Sequence, residues 1–123
     1  MTTVPDLSST KVDALVANFA DVALRMEQAD IDGRLALYKK LYRQKVAIQT
    51  ELRARPGDQR IALLALYDHP SMEVRFLAAQ ATRSVAPVEA RRVLERISAS
   101  SWPQAGSAGM SLHAWDSGVW EPD

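Results

Sequence analysis

The chain has 123 residues and a mass of 13.6 kDa, enough for one domain with a real core and too few for two. Its 15 basic and 15 acidic side chains cancel, which argues against a broad electrostatic grip on nucleic acid. The absence of cysteine excludes disulfide scaffolds, cysteine-ligated zinc, iron–sulfur clusters and cysteine nucleophiles. No apolar run approaches the ~18 residues that cross a bilayer, and Met1 to Thr10 lack the basic start and apolar middle of a signal peptide. With 47% hydrophobic residues the chain reads as a folded, mostly helical protein of the cytoplasm.

The first helix is expected to follow Ser8–Ser9–Thr10, any of which can cap it. Val12, Leu15, Val16, Phe19, Val22, Ala23 and Met26 recur at spacings of three and four and form one apolar face. The helix should end near Asp30–Ile31–Asp32–Gly33, where glycine allows the turn. A second helix is expected over 34–53, with Leu37, Tyr38, Leu41, Tyr42, Ile48 and Leu52 as its apolar stripe. Lys45 falls inside that arc, with its stem on apolar surface and its ammonium reaching water. Pro56–Gly57 breaks the chain. A short third helix over 58–67, capped by Asp58, is apolar all round and should be buried. Asp68–His69–Pro70–Ser71 is a turn, since the residue before proline avoids helix. A fourth helix over 72–85 should bury Val74, Leu77, Ala78, Ala81 and Val85, and a fifth over 87–99 should bury Ala90, Val93, Leu94 and Ile97. Residues 100–123 show no sustained period, although Ser111 to Trp115 can make one turn, and they carry all three tryptophans. Disordered tails rarely concentrate tryptophan, so this tail is expected to fold back onto the helices; the alternative is an arm inserted into another chain.

Charge is unevenly spread. Basic and acidic side chains number two and five over 1–30, eight and three over 31–60, five and four over 61–100, and none and three over 101–123. The acidic ends are expected to pack near the basic second segment. The competing reading is an exposed basic patch for an acidic partner.

The stretch Ile61 to Val85, with Asp68, Pro70, Val74, Arg75, Ala78 and Ala79, resembles a HEAT-type repeat. In that pattern a leucine-rich helix ends in an Asp…Pro turn, and the next helix opens Val-Arg and continues with paired alanines. Arg75 would bond groups of the turn, and the alanines would allow close stacking. The whole chain also resembles a small bacterial family of HEAT-like proteins classed as a domain of unknown function. The tail pattern of that family is matched by Gly109, Met110, Ser111, Leu112, Trp115 and Gly118. The resemblance implies an all-α protein in one domain, 1–123. It would be a short right-handed α-α superhelix of about five helices over 8–99, capped by the tryptophan-bearing tail 100–123.

Candidate chemistry is sparse. His69 beside Asp68 reads as a turn residue whose ring caps a helix rather than a metal ligand. His113 and Asp116 sit three apart with Ser111 nearby, the residue types of a hydrolase without a nucleophile elbow. No phosphate-cradling loop or paired carboxylates are present, so no catalytic residue, metal or cofactor is assigned. The cluster Arg34, Lys39, Lys40, Arg43 and Lys45 raises a nucleic-acid reading, as in the longer, more basic HEAT-like DNA glycosylases; a solvated helix face is the plainer account. The function expected of such a helical array is a non-catalytic protein–protein interaction module, monomeric or a weak homodimer, without nucleic acid or membrane. Its partner surface would be drawn from Lys39, Arg43, Arg75 and Arg83 of the second helices, with Trp102, Trp115 and Trp120 of the tail.

Overall fold

The structure, a computed structural model, describes residues 6–120. It contains helices α1 (Val12–Ile31), α2 (Leu35–Ala54), a 3-10 helix (Gln59–Asp68), α3 (Met72–Ala81), α4 (Pro87–Ser98) and α5 (Ala105–Asp116), with no strand among the described residues. The chain divides into two compact units, Met1–Ala62 and Leu63–Asp123.

In the first unit α1 and α2 pack as a hairpin. The spacing of three and four puts Leu15, Phe19, Val22, Ala23 and Met26 out of solvent, and α2 contributes Leu41, Ile48 and Leu52. The tight turn between them follows from helix-end chemistry. Gly33 takes a left-handed φ of 68°, which lets the Arg34 amide donate to the Ala29 carbonyl (2.9 Å) and the Gly33 amide to that of Asp30 (3.1 Å). Two orphan carbonyls of α1 are thereby satisfied.

The start of α1 differs from expectation. Lys11 is its N-cap, with no side-chain cap, and Ser8, Ser9 and Thr10 are used in a preceding turn closed by the Thr10 amide on the Leu7 carbonyl. That turn is held by Arg55 at the far end of α2. Its guanidinium donates to the carbonyls of Leu7 (3.1 Å) and Thr10 (2.6 Å) and is itself anchored on Glu51 (2.6 Å). The N-terminal acidic segment does therefore meet the basic second segment, through backbone carbonyls.

Residues 59–68 form a 3-10 helix where an α-helix was expected. Ten residues are long for this geometry, whose hallmark is that side chains at i and i+3 eclipse. Burial follows that period: Arg60, Leu63 and Leu66 are buried, while Ile61, Ala65 and Asp68 are exposed. Asp58 accepts from the Arg60 amide, Nε (2.9 Å) and the terminal nitrogen (2.7 Å), matching the buried guanidinium and capping the segment. The pair holds the Asp58 carboxyl below the usual carboxylate range. Asp58 does this from a left-handed backbone with φ 51°, a conformation aspartate tolerates better than most residues.

In the second unit α3 packs on α4 and α4 on α5. Ser71 caps α3 by accepting from the Val74 amide. The helix stops at Ala81 rather than 85; the buried Thr82 is its C-cap, its amide (3.1 Å) and its hydroxyl (2.8 Å) both donating to the Ala78 carbonyl while the hydroxyl also meets that of Tyr67. Phe76 and Ala79 join the expected buried residues, and Val85 is only half-buried in the following turn. Helix α4 starts at Pro87 and buries Ala90, Val93, Leu94 and Ile97 as expected. The tail supplies a sixth helical element, α5, which its small residues concealed. Close packing explains one of them: a Cβ on Gly109 would lie 3.3 Å from the Ser98 hydroxyl of α4.

Two variants test the hairpin. Gly33→Ala adds a Cβ with no atom within 4 Å, so backbone strain alone should cost about 1 kcal/mol in urea unfolding. Arg55→Ala should lower stability by about 1–2 kcal/mol and raise hydrogen exchange over residues 6–10.

Candidate functional site

Two surfaces carry the residues singled out from the sequence. The first is the outer face of α2. At about 100° per residue, Leu35, Lys39, Tyr42, Arg43 and Val46 fall within an arc of about 100°, with Lys40 about 60° beyond it. Lys39, Lys40 and Arg43 are exposed, and among the described residues no hydrogen bond or ion pair engages them. The apolar members are exposed too: Leu35 by 63%, Tyr42 by 49% and Val46 by 40%. Tyr42 is therefore not part of the core, contrary to the expected stripe. Its ring is backed by Lys45, whose ammonium lies 4.9 Å from the ring centroid and donates to Gln49 (3.2 Å). Lys45 itself is 9% exposed. The only acid on α2, Glu51, is held by Arg55.

The second surface belongs to α5 in the other unit. Arg91 of α4 meets Asp116 in a two-pronged ion pair (2.8 and 3.0 Å) and touches Glu95 (3.5 Å). The same guanidinium lies 5.5 Å from the Trp115 ring. Trp115 meets Trp120 edge-on at 5.2 Å, and Arg83 lies 4.1 Å over Trp120. The chain returns to this position because Gly118, at φ 77°, ends α5 as Gly33 ends α1. The Val119 amide reaches the Ala114 carbonyl (3.0 Å) and the Gly118 amide that of Trp115 (3.3 Å). Arginine, tryptophan, tryptophan and arginine thus alternate along one seam that ties α5 to its unit. Asp116 answers Arg91 rather than the basic segment 31–60; Glu121 and Asp123 lie outside the described residues. Beside the seam is an open hollow of about 520 Å3 flanked by Met110 and Val119, which are 75% and 81% exposed.

The remaining candidates have local duties. The His69 ring accepts from the amide of Ser71, the cap of α3, and the His69 carbonyl accepts from Arg75. Arg83 also donates to the Gln80 carbonyl (3.1 Å). Trp102 is 54% exposed between α4 and α5. Ser111 accepts from Gln80 (2.7 Å), and among the described residues no hydrogen bond joins Ser111, His113 and Asp116. No group of three or more His, Asp or Glu among the described residues is arranged to hold a metal ion. No described helix is long and apolar enough to cross a membrane. Two features had no local signal in the sequence. The Arg91–Asp116 pair spans 25 residues, and the exposure of Tyr42 depends on tertiary placement.

These observations define an all-helical protein in which several arginines secure helix ends and a tryptophan–arginine seam ties α5 to its unit. Residues 13–116 match the family described as a domain of unknown function (DUF2019), and the chain belongs to that family. It is similar to the protein RPA1889 from Rhodopseudomonas palustris CGA009, known from a crystal structure. The two are 43% identical with a TM-score of 0.93, over 97% of this chain and 99% of that one. No curated protein matches the chain.

The seam has an acid signature. Its ion pair holds the Asp116 carboxyl below the usual carboxylate range. A depressed carboxyl adds stability at all pH above its unfolded value, about 4, and loses it as pH falls through the lower folded value. Tryptophan emission should therefore shift to the red below about pH 4, and Asp116→Asn should show a looser Trp115–Trp120 seam already at neutral pH.

Proposed function

We propose that this protein is a non-catalytic protein–protein interaction module. The observation that carries the reading is the α2 face, where Leu35, Tyr42 and Val46 stand 63, 49 and 40% exposed on one side of a helix that buries its opposite side. Isolated apolar residues on a surface are ordinary; a row of them at i, i+7 and i+11, flanked on one side by cations that no described residue pairs, resembles a protein contact before docking. The reading treats the helical hairpins as diverged units of a short HEAT-like array. Arg75 supports this by binding the His69 carbonyl in the turn, the role that the repeat resemblance implies for it. A cytoplasmic setting accords with the cysteine-free sequence.

A second reading, nucleic-acid binding, is favoured by Lys39, Lys40 and Arg43, which lie close together with no acid opposing them on α2. The patch spans little more than one helical turn in a chain of zero formal charge, a small footprint for gripping phosphates. The exposed apolar side chains beside the cations also match a protein contact better.

The test is comparative capture. Full-length protein and a Leu35→Ser/Tyr42→Ser/Val46→Ser variant with unchanged circular dichroism are immobilised, and proteins retained from a bacterial lysate are quantified by mass spectrometry. A stoichiometric protein retained by the parent and lost with the variant is the expected result. Equal retention by both would remove α2 as the contact.

A further inference from the structure

The α2 face has a chemistry that narrows the kind of partner, and the inference below rests on the interaction-module reading. Leu35, Tyr42 and Val46 follow one line along the helix, at relative angles of about 0°, −20° and 20°. Lys39 and Arg43, at about 40° and 80°, run parallel to that line on one flank. The row is about 16 Å long, three turns of helix. The flank is charged with a single sign, and no acid on α2 offsets it, because Glu51 is engaged by Arg55. Tyr42 is held from behind by Lys45, so its outward edge is presented without the entropy cost of ordering a loose ring.

We infer that the α2 face binds an acidic amphipathic helix, because exposed Leu35, Tyr42 and Val46 line up beside Lys39 and Arg43, two cations one turn apart that no described residue pairs. A partner helix would lay apolar residues at i, i+3 or i+4, and i+7 against Leu35, Tyr42 and Val46. Its carboxylates, one turn apart on the adjoining flank, would meet Lys39 and Arg43, with Lys40 at the rim. The apolar row supplies most of the affinity, whereas the charged flank supplies orientation and rejects basic helices.

The experiment selects from an unbiased displayed library of 16-residue peptides on the full-length protein. Each enriched peptide is then measured by fluorescence anisotropy against the parent, Lys39→Glu/Arg43→Glu and Tyr42→Ala, all checked by circular dichroism. The expected result is enrichment of acidic sequences with helical apolar spacing. Their binding should weaken by about tenfold or more on charge reversal and should fall with added salt. Lys39→Gln/Arg43→Gln should weaken it by less than the reversal does. Enrichment of neutral or basic peptides, or of acidic ones indifferent to the α2 variants, overturns the acidic-helix inference while leaving the interaction-module reading in place. Failure to enrich any peptide overturns the inference. If a 20-nucleotide single-stranded or duplex DNA also binds in an Lys39- and Arg43-dependent way, the interaction-module reading falls with it.

Discussion

Every helix end leaves backbone donors and acceptors that must find partners, and a small all-helical protein has many ends for its size. That constraint organises this chain. Gly33 and Gly118 close two helices by taking a left-handed turn that returns amides to the last carbonyls. Thr82 closes a third with its hydroxyl. Three arginines do related work at a distance: Arg55 on the turn before α1, Arg75 on the turn before α3, and Arg83 on the last turn of α3. Of the four basic side chains that looked available for a partner, Arg75 and Arg83 are engaged in this way and Lys39 and Arg43 are not. Guanidinium suits this task because its planar fork can serve several acceptors at once.

The same accounting separates the two surfaces. On the α5 side, Arg83 and Arg91 are bound into tryptophan rings and a carboxylate, so their charge is answered from within. On α2, Lys39, Lys40 and Arg43 have no such answer among the described residues. A neutral total conceals this, because the compensation is local in one place and missing in another. Trp115 and Trp120 lie against Arg91 and Arg83 of their own unit, the inward docking expected of the tail, whereas Trp102 is exposed.

What could be read from the sequence divides along physical lines. Strongly periodic segments were legible almost residue by residue: the buried set of α4 and the face of α1 follow from spacings of three and four. Gly33 and Pro87 marked boundaries because their backbone preferences are intrinsic. Segments without a period were not legible. Residues 61–67 are apolar on every side, so neither 3.0 nor 3.6 residues per turn is favoured by pattern, and tertiary placement decided for the tighter winding. Helix α5 was hidden by glycine and serine, poor helix formers, of which Gly109 sits where α4 approaches closely. On the candidate interface, Lys39 and Arg43 were visible as a cluster. Tyr42 was misplaced because a tyrosine at the edge of an apolar arc can turn either inward or outward.

The winding of residues 59–68 has a mechanical consequence. A 3-10 helix rises about 2.0 Å per residue and an α-helix about 1.5 Å. Ten residues in the present form therefore extend about 20 Å, and the same ten wound as α-helix would extend about 15 Å. A change of hydrogen-bond register alone, with no bond made or broken in the covalent chain, would shorten this segment by about 5 Å and turn its buried row of Arg60, Leu63 and Leu66 out of line. The extended winding thus goes with the eclipsed row of Arg60, Leu63 and Leu66 that the segment keeps buried.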